Sequence, residues 1–479
     1  MKTNRRSFIR IAGLAGTGIF AVGLASGNNE VKPLSDLEIA SEKAHKQLFN
    51  MSGYATPKLE TVRIGFIGLG HRGPGSLKRL SLIEGVEIIA ICDLHPDRVD
   101  KAQKMLADSG LPAARSYSGS EDAWKKMCES PDIDLIYQVT PWGLHTPVSV
   151  FAMEHGKHVA VEMPAALTIE DCWRLVETSE RTRKHCMMLE NCCYDFFELL
   201  VLNMVRQGFF GEIIHADAGY VHNQLLSHFD KSENGYDKMW TLKAYQHGSG
   251  NQYPTHGLGP VCQVMDINRG DKMNFLTSME SNDFQFGKMA SEFAKKDSFY
   301  KEFDTNSYRG NMNTSIIRTE KGKTIRIQFD ITSPQPYSRI FGISGTKAVA
   351  LKYPEPARIA QEEEWLKEDV MKALSEKYKP EIVKRMGELA KEVGGHGGMD
   401  FLMDWRLIDC LRNGLPLDQD VYDAAAWSSI VPLTKWSVAN GSAPIQIPDF
   451  TCGSYKKNTP VDINMLQGGN TGIRTIPNK

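Results

Sequence analysis

A glycine-rich turn between an apolar strand and a helix constrains the fold of this chain more than any other feature. The apolar run Val62 to Ile67 predicts a buried strand. Gly68, Gly70 and Gly73 follow it with the spacing G-x-G-x-x-G. The first glycine permits a tight turn, the second lets the backbone approach a pyrophosphate, and the third allows the next helix to pack closely. Amide groups at the start of that helix then bind phosphate. The pattern predicts dinucleotide binding.

An acidic residue at the end of the next predicted strand supports this interpretation. The apolar run Val86 to Ile91 ends at Cys92-Asp93, about 20 residues beyond the last glycine, where a carboxylate binds the hydroxyls of the adenosine ribose. No arginine or lysine directly follows Asp93 to bind a 2′-phosphate. We therefore expect NAD rather than NADP. Without this strand and acid, the glycines would indicate only an ordinary turn.

The order of the predicted elements indicates the fold class. Predicted strands and helices alternate from Val62 to Leu189. This order predicts an α/β fold with a doubly wound parallel sheet, whose ligand binds beyond the carboxyl ends of the strands. From residue 191 on, strand-like segments follow one another, which predicts an α+β domain with a large, mainly antiparallel sheet. We expect a Rossmann NAD-binding domain at 61–190 and a substrate domain at 191–479, with a charged helical insertion around 353–395.

The N-terminal residues predict an exported protein. Arg5-Arg6-Ser7-Phe8 precedes a small-residue, moderately apolar run from Ile11 to Ala25, which resembles a twin-arginine export signal. The run is too short and too rich in glycine and alanine to span a membrane. We expect a signal peptide over residues 1–29, a lead-in segment over 30–60 and a mature protein in the periplasm; the alternative is a basic tail. Export in the folded state suits a chain that must take up its cofactor in the cytoplasm.

Charge and cysteine content argue against several other classes of function. The 479 residues carry a formal net charge of −2, so we expect no electrostatic attraction to nucleic acid or anionic lipid. The nine cysteines are scattered, without metal-ligand spacing or a regular disulfide framework. We expect a globular protein with neither a bound metal nor a nucleic-acid partner.

Further motifs give the chain a resemblance to the family of glucose–fructose oxidoreductase and inositol dehydrogenase, the Gfo/Idh/MocA superfamily. They are the glycine loop, Asp93, the turn from Thr140 to His145, and the turn Glu162-x-Pro164. Members of this superfamily join a Rossmann domain to a sheet domain that holds a sugar. The resemblance covers nearly the whole mature chain.

A closer resemblance is carried by four longer stretches in the right order. They are Glu190 to Leu199, Asn251 to Pro260, Ser333 to Arg339, and Gly395 to Asp400. Together they resemble glycoside hydrolase family 109, the NAD-dependent α-N-acetylgalactosaminidases. The resemblance implies an amino-sugar glycan as the substrate, and a homodimer through an exposed sheet face, as is frequent in this family.

The resemblance also implies two sets of site residues. The cofactor-binding set is Gly68, Gly70, His71, Arg72, Gly73, Asp93, Trp142, His145, Glu162, Met163, Asn191 and Tyr253. The sugar-facing set is Tyr220, Tyr253, Pro254, Thr255, His256 and Tyr337. Other interpretations remain open. The histidines at 145 and 256 could be capping or core residues, and the tyrosines at 220 and 337 could pack the sheet.

Family 109 membership would imply a redox-neutral reaction. NAD takes a hydride from C3 of the sugar and the ketone acidifies the hydrogen on C2. A base removes that hydrogen, the aglycone leaves from C1, water adds, and the hydride returns. His256 is the expected base at the C3 hydroxyl. Tyr220 or Tyr253 would act at C2 only with a pKa lowered from about 10, and His396 could orient the water. Because the periplasm offers no NAD pool for exchange, a cycle that returns its hydride is favoured there.

Two departures from the family patterns bear on the function. The oxidoreductases usually carry Glu-Lys-Pro where this chain has Glu162-Met163-Pro164, and a methionine cannot transfer a proton. This disfavours the alternative of a periplasmic, cofactor-retaining sugar oxidoreductase. In addition, Thr241 stands where the family 109 branch commonly has an arginine that would contact substrate. A third alternative, a non-catalytic sugar-binding protein, is disfavoured by the intact glycine loop and Asp93.

Overall fold

The computed structural model describes residues 45–233 and 235–474. The predicted signal peptide lies outside these residues, as do residues 30–44 of the lead-in segment. The described residues form two β-sheets, one of six strands and one of nine. No helix among them is long and apolar enough to cross a membrane.

The first sheet and its helices form the N-terminal domain. In chain order its elements are β1 (Val62–Ile67), α1 (Gly73–Ser81), β2 (Val86–Cys92), α2 (Pro96–Asp108), β3 (Arg115–Tyr117), α3 (Ala123–Cys128), β4 (Leu135–Gln138), α4 (His145–Glu154), β5 (His158–Val161), α5 (Ile169–Thr182) and β6 (Cys186–Met188). The strands lie in the order β3-β2-β1-β4-β5-β6, with every neighbouring pair parallel. Strands β4 and β5 are buried along their whole length, as expected where helices cover both faces of a sheet. The predicted doubly wound sheet is confirmed.

The second sheet belongs to the C-terminal domain. Its elements are α6 (Phe196–Arg206), β7 (Ile213–Val221), α7 (Trp240–Gln246), α8 (Thr255–Val264), β8 (Met273–Glu280), α9 (Phe286–Lys296), β9 (Asn313–Thr319), β10 (Thr324–Asp330), β11 (Gly342–Gly345), β12 (Ala348–Leu351), β13 (Arg358–Gln361), β14 (Glu364–Trp365), α10 (Glu368–Tyr378), α11 (Glu381–Val393), α12 (Met399–Asn413), α13 (Val421–Ser428), α14 (Ile430–Ala439) and β15 (Ile445–Gln446). The strands lie in the order β14-β13-β12-β11-β7-β10-β9-β8-β15. Among the described strands of this sheet only β7 and β10 pair in parallel, so the predicted mainly antiparallel sheet is confirmed.

The charged region around 353–395 differs in part from its prediction as a helical insertion. Helices α10 and α11 are present, but strands β13 and β14 come first and extend the nine-stranded sheet at its edge. Ile359 of β13 lies opposite Ala350 of β12, and both are fully buried. The charged residues of this region favour a solvated helix. Pairing with β12 buries Ile359, however, and this burial favours a strand.

Helix α12 packs against the Rossmann domain and is buried along almost its entire length. Every residue from Met399 to Leu411 is buried, although several of them are charged. Its Asp404 accepts hydrogen bonds from Arg79 Nε at 2.8 Å and from the Tyr137 hydroxyl at 2.7 Å. Charged residues that would favour solvent on an isolated helix are therefore paired inside the protein.

A contact between two glycines places helix α8 against strand β7. A Cβ atom added to Gly257 would lie 2.3 Å from the backbone nitrogen of Gly219 and 2.6 Å from its carbonyl oxygen. No side chain fits between these backbones. Their neighbours along the chain, Tyr220 and His256, consequently lie side by side, with ring centroids 5.2 Å apart.

We expect Gly257→Ala to destabilise the protein by about 1–3 kcal/mol, because one extra methyl group must displace the backbone of β7. The measurement is the free energy of unfolding by urea, together with the thermal midpoint. Gly143→Ala is the matched control, since a Cβ atom there meets nothing within 4 Å. A Gly257→Ala protein as stable as this control would contradict the assigned contact.

Candidate active site

A cavity of about 540 Å³ lies where the two domains meet. Most residues of the predicted cofactor-binding set contribute to its wall: Gly68, Gly70, His71, Arg72, Asp93, Trp142, His145, Glu162, Met163 and Tyr253. The C-terminal domain adds aromatic and polar side chains: Tyr220, Gln224, His228, Tyr236, Trp240, Thr241 and Tyr245. The carboxyl ends of the parallel strands open into this cavity, where a doubly wound sheet binds its ligand.

The glycine turn has the geometry that a dinucleotide requires. Gly68 has a φ of +95°, and a Cβ atom there would lie 2.2 Å from the carbonyl oxygen of Val139. A Cβ atom on Gly73 would lie 2.1 Å from the Gly68 carbonyl oxygen. A Cβ atom added to Gly70 would have only the Arg98 guanidinium within 4 Å among the described residues, at 3.6 Å, so the backbone is open to a ligand. Helix α1 begins here without a side-chain cap, leaving amides for phosphate.

Asp93 is fixed beside this turn. One carboxylate oxygen accepts a hydrogen bond from the Leu69 amide at 2.7 Å, and the other accepts from the His95 amide at 2.9 Å. Arg98, on the first turns of α2, places Nη1 3.7 Å from the same carboxylate. Arg98 was not predicted, because the expectation of NAD rested on the residues directly after Asp93 in the sequence. A helix predicted to begin at Pro96 would have placed Arg98 in its first turn, close to Asp93.

His145 holds two turns of the cavity wall together. Its Nδ1 lies 2.7 Å from the carbonyl oxygen of Pro164, and its Nε2 lies 2.7 Å from that of Thr140. The ring is 1% exposed. Burial lowers the pKa of His145 despite these two carbonyl contacts. These are the contacts of a core histidine that also borders the cofactor cavity, so both interpretations of this residue agree with its position.

The carboxylate of Asp400, at the start of α12, connects several predicted site residues. It accepts hydrogen bonds from the side-chain amide of Asn191 and from Nδ1 of His396, the latter at 2.9 Å. The guanidiniums of Arg72 and Arg79 lie 3.5 and 3.6 Å from it. Burial acts to raise the pKa of Asp400, but the hydrogen bond from His396 and the two arginine charges hold it well below its usual range.

Arg72 is held between two carboxylates. Besides Asp400, its guanidinium pairs with Glu162 at the end of β5. Both carboxylates are at least nine-tenths buried. Arg72 and Glu162 were predicted as separate cofactor-binding residues, and Asp400 was given no role. The position of Asp400 at the end of the motif Gly395 to Asp400 could have indicated one.

The aromatic members of the predicted sugar-facing set form a cluster. The ring centroids of Tyr220 and Tyr253 lie 5.0 Å apart, and those of Tyr253 and His256 lie 4.9 Å apart. Tyr337 lies 5.9 Å from Tyr220. His222, which the sequence analysis missed, lies 5.2 Å from Tyr337. The two-residue period of an extended chain places positions 220 and 222 on one face and could have indicated it.

The remaining predicted site residues lie at the margins. Pro254 and Thr255 are buried at the start of α8 and position the residue that follows them. The side chain of His396 is 56% exposed. Its contact is with Asp400 and not with the aromatic cluster. The structure therefore supports a place for His396 in the arginine–carboxylate network rather than beside the sugar.

A buried carboxylate fixes the orientation of His256. Glu190 is fully buried, and its Oε1 lies 2.7 Å from Nδ1 of His256. Burial acts to raise the pKa of Glu190, but the pairing with His256 lowers it, so the group is ionised. A carboxylate only accepts hydrogen bonds, so Nδ1 carries a hydrogen, and in the neutral ring the lone pair is on Nε2. Glu190 belongs to a motif quoted from the sequence, but its role was not predicted.

Three potential metal ligands meet at this position. Single ligand atoms of Glu190, Cys192 and His256 lie within 4.8 Å of one another. The carboxylate and the imidazole already bind each other, and burial raises the pKa of the Cys192 thiol, which disfavours a thiolate ligand. The geometry fits a carboxylate–histidine pair better than a metal centre.

The tyrosines of the cluster do not have the environment of a general base. Burial raises the pKa of Tyr220 and of Tyr253 above their usual value. A tyrosine could act as the base at C2 only if its pKa were lowered, and neither tyrosine meets that condition. Both hydroxyls are better suited to donate hydrogen bonds. Burial also lowers the pKa of His222, leaving it neutral at physiological pH and able to accept a proton.

Thr241 leaves a neutral wall where the family pattern has an arginine. Its hydroxyl lies 3.2 Å from Nδ1 of His228, and both residues are 2% exposed. Burial lowers the pKa of His228 to about 3, so neither Thr241 nor His228 carries a charge near pH 7.

Comparison with known families divides the chain at the boundary between the two sheets. Residues 62–190 match "Oxidoreductase family, NAD-binding Rossmann fold". Residues 194–457 match "Glycosyl hydrolase 109, C-terminal domain".

Individual proteins support the same division. The chain is 47% identical over 458 residues to glycosyl hydrolase family 109 protein 1 of Bacteroides fragilis, a match that covers 92% of this chain and 96% of the relative. It is 49% identical over 411 residues to a B. fragilis protein named alpha-N-acetylgalactosaminidase, covering 85% and 95%. A scyllo-inositol dehydrogenase from Lactobacillus casei, solved with NAD(H) and scyllo-inositol, superposes with a TM-score of 0.57 at 15% identity, covering 81% and 99%.

Proposed function

This chain belongs to glycosyl hydrolase family 109, and from that membership we propose that it releases α-linked N-acetylgalactosamine in a redox-neutral cycle with tightly bound NAD. One observation carries the proposal. The oriented His256–Glu190 pair packs against Tyr220 and Tyr253, which border the same cavity as the dinucleotide-binding turn. Such a site joins proton transfer on a sugar to a nicotinamide cofactor.

The cofactor prediction is confirmed by the match to the NAD-binding family and by the open glycine turn. Amides at the start of α1 would hold the pyrophosphate, and Asp93 would hold the adenosine ribose. When bound, NAD would supply the acceptor for the C3 hydride and its later return. Met163 borders the cavity but has no titratable group. We therefore assign proton transfer to side chains of the C-terminal domain.

His256 supplies the base for the C3 hydroxyl. In the neutral ring the lone pair is on Nε2, because Glu190 holds the hydrogen on Nδ1. The carboxylate also stabilises the positive charge that the ring acquires on accepting a proton. Of the remaining groups in the cluster, neutral His222 suits removal of the C2 proton better than the tyrosines, whose pKa values are raised. Tyr220 and Tyr337 would then orient the sugar.

Retention of the cofactor is supported by a bridging segment, residues 235–240, that reaches from the C-terminal domain to the Rossmann domain. Asp237 lies 3.1 Å from His95 Nε2, and Lys238 lies 3.8 Å from Glu121. Tyr236 and Trp240 of this segment also border the cavity. A dinucleotide bound along the cavity would thus be enclosed by both domains, which favours slow release.

We propose export to the periplasm as a folded protein. The support is the sequence Arg5-Arg6-Ser7-Phe8 and the state of the eight cysteines other than Cys452, which are buried without a disulfide in the described residues. Replacing both arginines by lysine should leave the precursor in the cytoplasm, which fractionation measures. Processing at the normal level would contradict twin-arginine export.

We also propose a homodimer through the exposed face of the nine-stranded sheet. Phe275, Met279 and Ile316 project from adjacent strands of that sheet and are 36%, 67% and 40% exposed. Contiguous exposed apolar residues of this kind mark association surfaces. Light scattering of the purified protein measures its mass, and a monomer at micromolar concentration would contradict the proposal.

The reaction mechanism can be tested by the fate of the hydrogen on C2. If cleavage follows C3 oxidation and C2 deprotonation, sugar released in heavy water should carry deuterium at C2, as NMR would show. Thioglycosides should also be cleaved, because elimination needs little protonation of the leaving atom.

A paired-carboxylate hydrolase leaves the C2 hydrogen in place. Full retention of that hydrogen by an enzyme that needs no NAD would contradict the mechanism. Net reduction of NAD by free sugars without hydrolysis would instead indicate the sugar oxidoreductase.

The His256–Glu190 pair predicts a second result. In Glu190→Gln the amide can donate to Nδ1 of His256, which places the hydrogen on Nε2 and removes the base. We expect kcat/KM to fall by about 10²–10⁴-fold, as for His256→Ala, while the protein keeps its NAD. The matched control is Glu180→Gln, another buried glutamate, which contacts Tyr422 instead. Undiminished activity of Glu190→Gln would show that this pair does not supply the base.

A further inference from the structure

Charged side chains from both domains meet where the cavity would hold the adenosine ribose. Asp93 and Arg98 come from the Rossmann domain, with Nη1 of the arginine 3.7 Å from the carboxylate. Asp237 comes from the bridging segment. Its Oδ1 lies 3.1 Å from His95 Nε2 and 3.9 Å from Nη2 of Arg98. One arginine therefore lies between two carboxylates, only one of which follows a Rossmann strand.

Arg98 has the position and chemistry to bind a phosphate. It borders the cavity beside Gly70, the open glycine of the turn. Its distances to the two carboxylates exceed hydrogen-bonding range, so its donors are not committed to either of them. A guanidinium in this position would pair well with the 2′-phosphate of NADP. The preference for NAD consequently requires that the charge of Arg98 be offset.

We propose that Asp237, on the C-terminal domain, is a second determinant of NAD over NADP, acting together with Asp93. A 2′-phosphate carries about two negative charges at pH 7 and would meet both carboxylates with a single arginine between them. Asp93 excludes the phosphate from the ribose position. Asp237 is within hydrogen-bonding distance of His95 and offsets the charge of Arg98, the two groups that would otherwise attract the phosphate. Selection of the nucleotide is thus shared between the two domains, independently of any glycosidase chemistry.

A set of variants tests this division. Purified full-length holoenzyme is incubated with excess NADP, desalted and denatured, and the released nucleotides are quantified. For Asp93→Ser we expect the ratio of retained NADP to NAD to rise by about tenfold. Adding Asp237→Asn should raise it by about tenfold more. Adding Arg98→Ala to that double variant should remove the gain.

The bridging segment also needs a control, because loosening it could release either nucleotide. Lys238→Gln breaks the contact with Glu121 in the same segment but does not touch Arg98, and it should leave the ratio unchanged. The Asp237 side chain is 31% exposed and asparagine has the same shape, so the variant protein should fold. The proposal is overturned if Asp237→Asn leaves the ratio of the Asp93→Ser protein unchanged, if Arg98→Ala preserves the gain, or if Lys238→Gln raises the ratio equally.

Discussion

The pairing of two buried carboxylates on α12 with arginines of the Rossmann domain underlies the rest of this structure. Asp400 and Asp404 face Arg72 and Arg79 across the boundary between the domains. Breaking such a buried pair leaves an uncompensated charge, at a cost of about 3–5 kcal/mol. The two domains are therefore held in one relative position by charge as well as by apolar packing. Arg72, which borders the cofactor cavity, is positioned by the same contact.

The two domains contribute different chemistry to one cavity. The Rossmann side supplies an open backbone, free amides and Asp93, all suited to a charged nucleotide. The other side supplies buried aromatic rings and one oriented imidazole, which suit a neutral sugar. Burial raises the pKa values of the tyrosines and so makes them hydrogen-bond donors, while ionised Glu190 directs the lone pair of His256.

Local sequence patterns were sufficient for the fold and for part of the site. The glycine spacing, Asp93 and the alternation of predicted strands and helices led to the Rossmann domain, because each is a short-range feature. Contacts between distant segments left no such pattern. Asp400 lies 328 residues from the Arg72 it pairs with, as the hydrogen bond between them records. The burial of α12 depends on similar long-range contacts. The strands β13 and β14 pair with segments close to them in the chain, and they were missed because the local charge favoured a helix.

The contact between Gly219 and Gly257 has an evolutionary consequence. Because two backbones touch there, the spacing between Tyr220 and His256 is set by the main chain and cannot drift through side-chain substitution. The segment that carries His228, Asp237 and Thr241 instead meets the Rossmann domain through side chains, as in the contact of Asp237 with His95, and it borders the same cavity. Divergence among related proteins should therefore concentrate in that segment, changing the sugar or nucleotide accepted while the chemical step is inherited intact.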